Sequence, residues 1–145
     1  MTRSGSQEIT SVLERPDFVR DSVWRRLGEG PEPPEVEVVH HRHGILEYRF
    51  RGGRRVFAKP FSDPDRARAA YEIQRALWEG GFGSGSTYRV PEPIAYLPDE
   101  RVILMDAAPG ERLRELGTGD RSAWEEALRG SARWLAALHS TPHRL

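Results

Sequence analysis

The sequence predicts an α+β fold: a five-stranded antiparallel sheet with one packed helix, a helix before it and further helices after it. Three observations predict this. Three short strand-like runs follow one another between residues 36 and 61, divided by turn signals. The most regular helical pattern of the chain, residues 62–81, comes next. Two more strand-like runs, around 94–97 and 102–105, precede a return to helical periodicity.

The elements follow in order. The polar start "MTRSGSQE" (1–8) reads as disordered. Residues 9–27 carry a helical pattern broken by Pro16, with Phe18, Val19, Val23, Trp24 and Leu27 on one face. "GEGPEPPE" (28–35) stops any helix and reads as a linker, so residues 1–35 form an N-terminal helical extension with a Pro/Gly linker. "VEVVHH" (36–41) is rich in valine. "ILEYRF" (45–50) alternates, with Ile45, Glu47 and Arg49 on one face and Leu46, Tyr48 and Phe50 on the other. "RRVFAKPF" (54–61) follows the tight-turn signal "RGG".

In "SDPDRARAAYEIQRALWEGG" (62–81), Ser62 or Asp63 caps the helix and Pro64 suits its first turn. Gly80 and Gly81 end it. "PDE" turns the fourth strand into the fifth. "APGERLREL" becomes a short helix, and a last helix over about 122–139 shows a stripe of Trp124, Leu128, Leu135 and Leu138. Residues 36–110 thus form the sheet-bearing lobe with its outgoing linker, and 111–145 are expected to be the start of a second, helical lobe that is cut short.

Composition narrows the function. At 145 residues the chain is long enough to bury one core. A formal net charge of zero argues against nucleic-acid binding, which needs a basic face. Cysteine is absent, which excludes disulfides and thiolate metal sites. With no apolar run long enough for a membrane and no signal-peptide pattern at the start, a cytoplasmic location is expected.

One residue stands against the compositional bias. Lys and Arg total 22, yet Lys59 is the lone lysine and asparagine is missing. A lysine on a strand paired with a glutamate on the next helix can hold ATP phosphates: the ammonium contacts the α/β-phosphates and the carboxylate fixes its position. Glu72 is the matching glutamate, flanked on its helix face by the small residues Ala69 and Ala76. The rival reading is a solvated lysine and an ordinary helix glutamate.

At these residues the chain resembles the amino-terminal lobe of the aminoglycoside phosphotransferase family, which has a protein-kinase-like fold. "VFAK" resembles the kinase strand V-A-I-K. "YEIQRALWEGG" and "VPEPIAY" resemble the helix and the start of the fourth strand. "VILMDAAPGERL" resembles the fifth strand and inter-lobe linker, and "WLAALHS" the helix leading toward the catalytic loop. The resemblance covers about residues 36–140. It implies that Lys59 contacts ATP phosphates and Glu72 orients Lys59. It also implies that Ala58 and Met105 line the adenine pocket, that the Asp106 carbonyl accepts from the adenine amino group, and that the Ala108 N–H donates to a ring nitrogen. ATP and, in a complete relative, Mg²⁺ are the implied cofactors, with a small polar hydroxyl acceptor.

Several features depart from that pattern. The loop "HHRHG" (40–44) between the first two strands has one glycine where a phosphate cradle is expected. "GGFGSG" (80–85) follows a helix and precedes a proline-led strand, the wrong context for a phosphate loop. His40, His41 and His43 lack a carboxylate or thiolate to complete a metal site and read as strand-end polar residues. His139 reads as a packing or capping residue, and His143 is no better placed as a catalytic base. Phosphoryl transfer needs an H-G-D-x-x-x-x-N segment and a second metal-binding aspartate, and the chain has neither. The expectation is an ATP-binding lobe incomplete for catalysis, with no catalytic or metal residue of its own: a fragment of a kinase, or one half of a split kinase that meets its C-terminal lobe in trans. The alternative is a non-catalytic interaction domain that keeps the lobe's shape and binds a protein partner.

Overall fold

The computed structural model describes residues 9–110, 113–117 and 119–142. The expected disorder of residues 1–8 and the position of His143 lie outside the described residues.

Five strands form one antiparallel sheet: β1 (Val36–His40), β2 (Leu46–Phe50), β3 (Arg55–Pro60), β4 (Pro93–Leu97) and β5 (Val102–Asp106). Their spatial order is β1-β2-β3-β5-β4, which puts β3 in the middle. Helical residues 9–13 (α1) and 16–27 (α2) precede the sheet. Pro16 lacks an N–H and so starts the second of these rather than continuing the first. The middle of α2, Val19–Trp24, is wound as a π-helix. Between β3 and β4 lies α3 (Pro64–Leu77), and after β5 come α4 (Leu113–Leu116) and α5 (Arg121–Ser140).

The period-2 alternation of β2 and β3 decides which layer each residue joins. Leu46, Tyr48 and Phe50, with Val56, Ala58, Val102 and Leu104, pack against Leu13, Phe18, Val19, Val23 and Trp24 in one core. Each fully buried large apolar side chain there contributes about 1.5–3 kcal/mol. Trp24 tilts against Phe50 with ring centroids 4.9 Å apart. The buried Tyr48 hydroxyl donates to the Leu13 carbonyl at 2.8 Å. The segment set apart as an N-terminal extension therefore covers a whole face of the sheet, and the stripe Phe18, Val19, Val23, Trp24 and Leu27 is the face it uses.

The other face receives α3 over β4 and β5. The Asp63 carboxylate accepts from the Asp65 N–H at 2.9 Å and Pro64 occupies the first turn, as the sequence predicts. Gln74 Nε2 donates to the Pro91 carbonyl at 2.8 Å, and the Tyr96 hydroxyl to that of Pro64 at 3.1 Å. The helix does not stop at Gly80. It widens into a π turn over Trp78–Phe82. Gly83 follows, where a Cβ would come within 2.6 Å of the Trp78 carbonyl. Of the "GGFGSG" glycines, Gly81 (φ 115°) and Gly83 serve this close turn.

Helix α5 begins at Asp120, whose carboxylate accepts from the Ser122 N–H at 2.8 Å. None of its residues is buried. Leu128 and Leu135 of its apolar stripe are 43% and 46% exposed. Trp134 Nε1 donates a hydrogen bond to the Arg89 carbonyl at 3.2 Å, which joins the helix to the lobe. Among the described residues no helix is long and apolar enough to cross a membrane.

Candidate functional site

Lys59 lies near the end of the central strand. Register pairs it with Ile103 and pairs Phe57 with Met105. Met105 meets α3, its sulfur 3.9 Å from Gln74 Nε2. Lys59 therefore shares the α3 face of the sheet with Phe57, Met105 and Ile103. Its side chain is exposed, and its ammonium sits 5.3 Å from the centre of the Phe61 ring.

Glu72 does not meet it. Both residues are exposed, and no ion pair joins them. The cause is the rotation of α3, which packs through Ala67, Tyr71 and Gln74. At 3.6 residues per turn, Glu72 stands about 140° round the helix from Ala67. The small residues Ala69 and Ala76, expected to bring the helix close, lie on that outer side too.

Ala58 also departs from the expectation. It is fully buried, but in the core beneath the N-terminal helices. Strand alternation gives its place on the Lys59 face to Phe57, two positions before the lysine. Counting by two from Lys59 along "VFAK" would have found it.

The linker is turned differently from the implied pattern. The Asp106 N–H donates to the Glu92 carbonyl at 2.9 Å, toward the β4 side. In an extended strand a residue's N–H and C=O point to the same edge, so the Asp106 carbonyl faces away from β3. The Ala107 N–H donates to the Arg55 carbonyl at 3.2 Å. The Asp106 carboxylate lies 3.4 Å from the Arg54 guanidinium. Ala108 is exposed. Asp106, Ala107 and Ala108 line a hollow of about 290 Å³ together with Trp78, Arg89 and Glu92. Lys59, Phe57 and Met105 do not line it.

The most constrained group on the Lys59 face is one the sequence analysis passed over. Glu47 is paired across the ladder with Phe57 and Val39, and it is fully buried. Its cover is thin: the side chains of three partners that are themselves 23% to 43% exposed. Arg55 donates to its carboxylate at 2.6 Å, His41 Nε2 lies 2.8 Å away, and Arg49 donates at 3.1 Å. Burial pushes its pKa up, but the hydrogen bonds from Arg49, His41 and Arg55 more than offset this and hold it down at about 2. Arg49 also reaches Glu37 at 3.5 Å. The signal in the sequence was a glutamate on a strand between apolar neighbours, with arginines two positions on and across the hairpin.

The three histidines are not gathered. His40 pairs with Glu14 at 2.6 Å, tying β1 to the residue after α1, while His41 serves Glu47. His43 holds a left-handed conformation (φ 62°) in the tight turn Arg42–Gly44. Among the described residues no three His, Asp or Glu side chains converge as a metal set, so none is assigned to Mg²⁺. No family model, no curated protein and no solved structure matches this chain.

Proposed function

We propose that the chain is the ATP-binding, amino-terminal lobe of a small-molecule kinase of the aminoglycoside phosphotransferase kind, incomplete for catalysis by itself. The observation that carries this reading is the position of Lys59. The lone lysine sits on the central strand of a five-stranded antiparallel sheet, on the face that bears the helix between β3 and β4, with an aromatic ring two residues before it. On this reading the polyphosphate rests on Lys59 and the base stacks on Phe57. A base on an aromatic ring is worth about 1–3 kcal/mol.

The departures shape the proposal. Glu72 does not hold Lys59 here, and closing that distance requires rotation of α3. The Asp106 carbonyl faces the wrong edge to read a base, so base recognition falls to other groups. The complete relative moves the γ-phosphoryl of ATP to a hydroxyl of a small polar acceptor, and no residue of this chain is assigned to that step.

The test is nucleotide binding by calorimetry, with and without Mg²⁺, for the wild type and Lys59→Ala. A charged contact to phosphate is worth about 1.5–3 kcal/mol, so the variant is expected to bind about ten- to a hundredfold more weakly with its fold intact. Equal affinity in the two proteins, or no binding by the wild type, refutes the reading.

A second reading is favoured by a different observation. The exposed stripe of α5 suits an interaction domain that binds a protein partner and performs no chemistry, or a lobe completed in trans. Absence of nucleotide binding together with a stoichiometric complex through α5 would favour it.

A further inference from the structure

The sheet has two outer edges, and they are finished differently. β4 opens with Pro93, which has no N–H to offer, and its ladder with β5 breaks register between Pro93 and Ala95. Proline and irregular register both keep a further strand from adding to an edge. β1 has neither device and no lysine: "VEVVH" runs in unbroken register with β2. Among the described residues no strand lies beyond it.

The hydrogen bonds fix which backbone groups this edge presents. The Glu35 carbonyl accepts from the Arg51 N–H and the His41 N–H donates to the Ile45 carbonyl, each at 2.8 Å. Glu37 and Val39, of the same parity, likewise spend their backbone groups on β2. The groups of Val36, Val38 and His40 therefore point outward, and among the described residues none of them has a hydrogen bond. The His40 ring reaches Glu14, which leaves its backbone unengaged.

Charge is graded along the same edge. Residues 28–37 hold Glu29, Glu32, Glu35 and Glu37 with no Lys or Arg, while 38–44 hold His40, His41, Arg42 and His43 with no acid. Arg42 is exposed and makes no ion pair among the described residues. Glu35 meets Arg51 at 3.8 Å, but the two are 82% and 80% exposed, and a pair so open to water holds weakly.

We infer that β1 is a pairing edge for a second copy of this chain, which joins it antiparallel about a two-fold axis at Val38. Val38 then faces Val38 of the second copy and Val36 faces its His40, so the outward groups of each strand meet those of the other. The antiparallel direction sets the acidic end of each β1 against the basic end of its neighbour, twice over. A parallel neighbour would set like charges side by side. This polarity is self-complementary, which singles out a second copy as the occupant. The inference stands apart from the nucleotide reading and leaves α5 exposed.

The test is sedimentation velocity on the full chain from about 1 μM to about 500 μM, with amide hydrogen exchange at both ends of the range. The contact is small, so the dimer is expected to dominate only above about 50 μM. In the dimer the amides of Val36, Val38 and His40 exchange about tenfold more slowly or better, while those of Glu37 and Val39 are protected at every concentration. Val38→Pro removes an outward donor at an edge position that tolerates proline, and abolishes the dimer. Glu35→Arg and Arg42→Glu each weaken it about three- to tenfold, and the two together restore it, which a general structural loss would not do. A chain that stays monomeric at the highest concentration overturns the inference. So does a dimer that leaves the Val36, Val38 and His40 amides unprotected, since its contact lies elsewhere. The wild-type exchange pattern decides the matter even if every variant misfolds.

Discussion

Replacing Glu47 with glutamine tests the ion cluster through its pH dependence. The carboxyl's ordinary value is 4.5 and the fold holds it at about 2. At about 1.36 kcal/mol per pH unit, that gap corresponds to about 3.4 kcal/mol. The three partners are partly exposed, so solvent screening lowers the expected effect to about 2–3 kcal/mol. The direction follows from the depressed value. The stabilisation is fully present above pH 4.5, where the unfolded chain is also ionised, and it is lost as pH falls from there through about 2. Urea denaturation of wild type and Glu47→Gln at intervals from pH 2 to pH 7 measures it. The wild type is expected to gain stability between pH 2 and pH 5, and Glu47→Gln to lack this gain. The stability difference between them should be near its full size at pH 6 and small at pH 2. A difference that stays constant across the range would show that the carboxylate's charge does not hold the cluster, and that shape alone sets the cost.

Three further outcomes are expected. Tyr48→Phe leaves the Leu13 carbonyl without its buried donor and should cost about 1–1.5 kcal/mol of unfolding free energy, read from the shift in urea midpoint at unchanged slope. Asp63→Ala removes the cap of α3 and should cost about 1 kcal/mol by the same measurement, whereas Asp63→Asn should cost little. The purified chain with radiolabelled ATP and Mg²⁺ should transfer no phosphoryl group to any hydroxyl acceptor, aminoglycosides included; transfer abolished by Lys59→Ala would reveal catalytic groups that the sequence does not display.

The strands were legible because local pattern and tertiary role agree there. "ILEYRF" names its two faces by alternation, and Leu46, Tyr48 and Phe50 are the buried set. The cap and proline of α3 announced its start for the same reason. Helix rotation was not legible. Ala69, Glu72 and Ala76 form a plausible packing face by composition, yet the sheet takes the face of Ala67, Tyr71 and Gln74, because Gln74 and Tyr96 find backbone partners in that orientation. Residue type on the helix did not encode where those carbonyls would be. Ala58 was misplaced for a simpler reason: a resemblance in residue type across "VFAK" was followed past the two-residue period that fixes the faces. Alternation placed Glu47 on one face of its strand with Ile45 and Arg49, and nothing local marked that glutamate as buried. Its burial comes from arginines that are distant in sequence and fold over it.

The two faces of the sheet are held by different physics, and this bears on where the chain can be divided. The face under α1 and α2 is closed by apolar side chains, whose burial does not depend on pH. The open part of the opposite face is held by the buried Glu47 carboxylate and its partners Arg49, Arg55 and His41, while α3 packs over the β4–β5 side. A boundary at residue 35 is natural in sequence, since "GEGPEPPE" is a linker. It is not a boundary in the fold. Removing residues 9–27 would expose Leu46, Tyr48, Phe50, Val56, Ala58, Val102 and Leu104 together, and would strip the Tyr48 hydroxyl of its acceptor. An apolar surface of that extent does not persist on a stable monomer. The sheet that presents Lys59 therefore requires the N-terminal helices, although they lie on the far side of it.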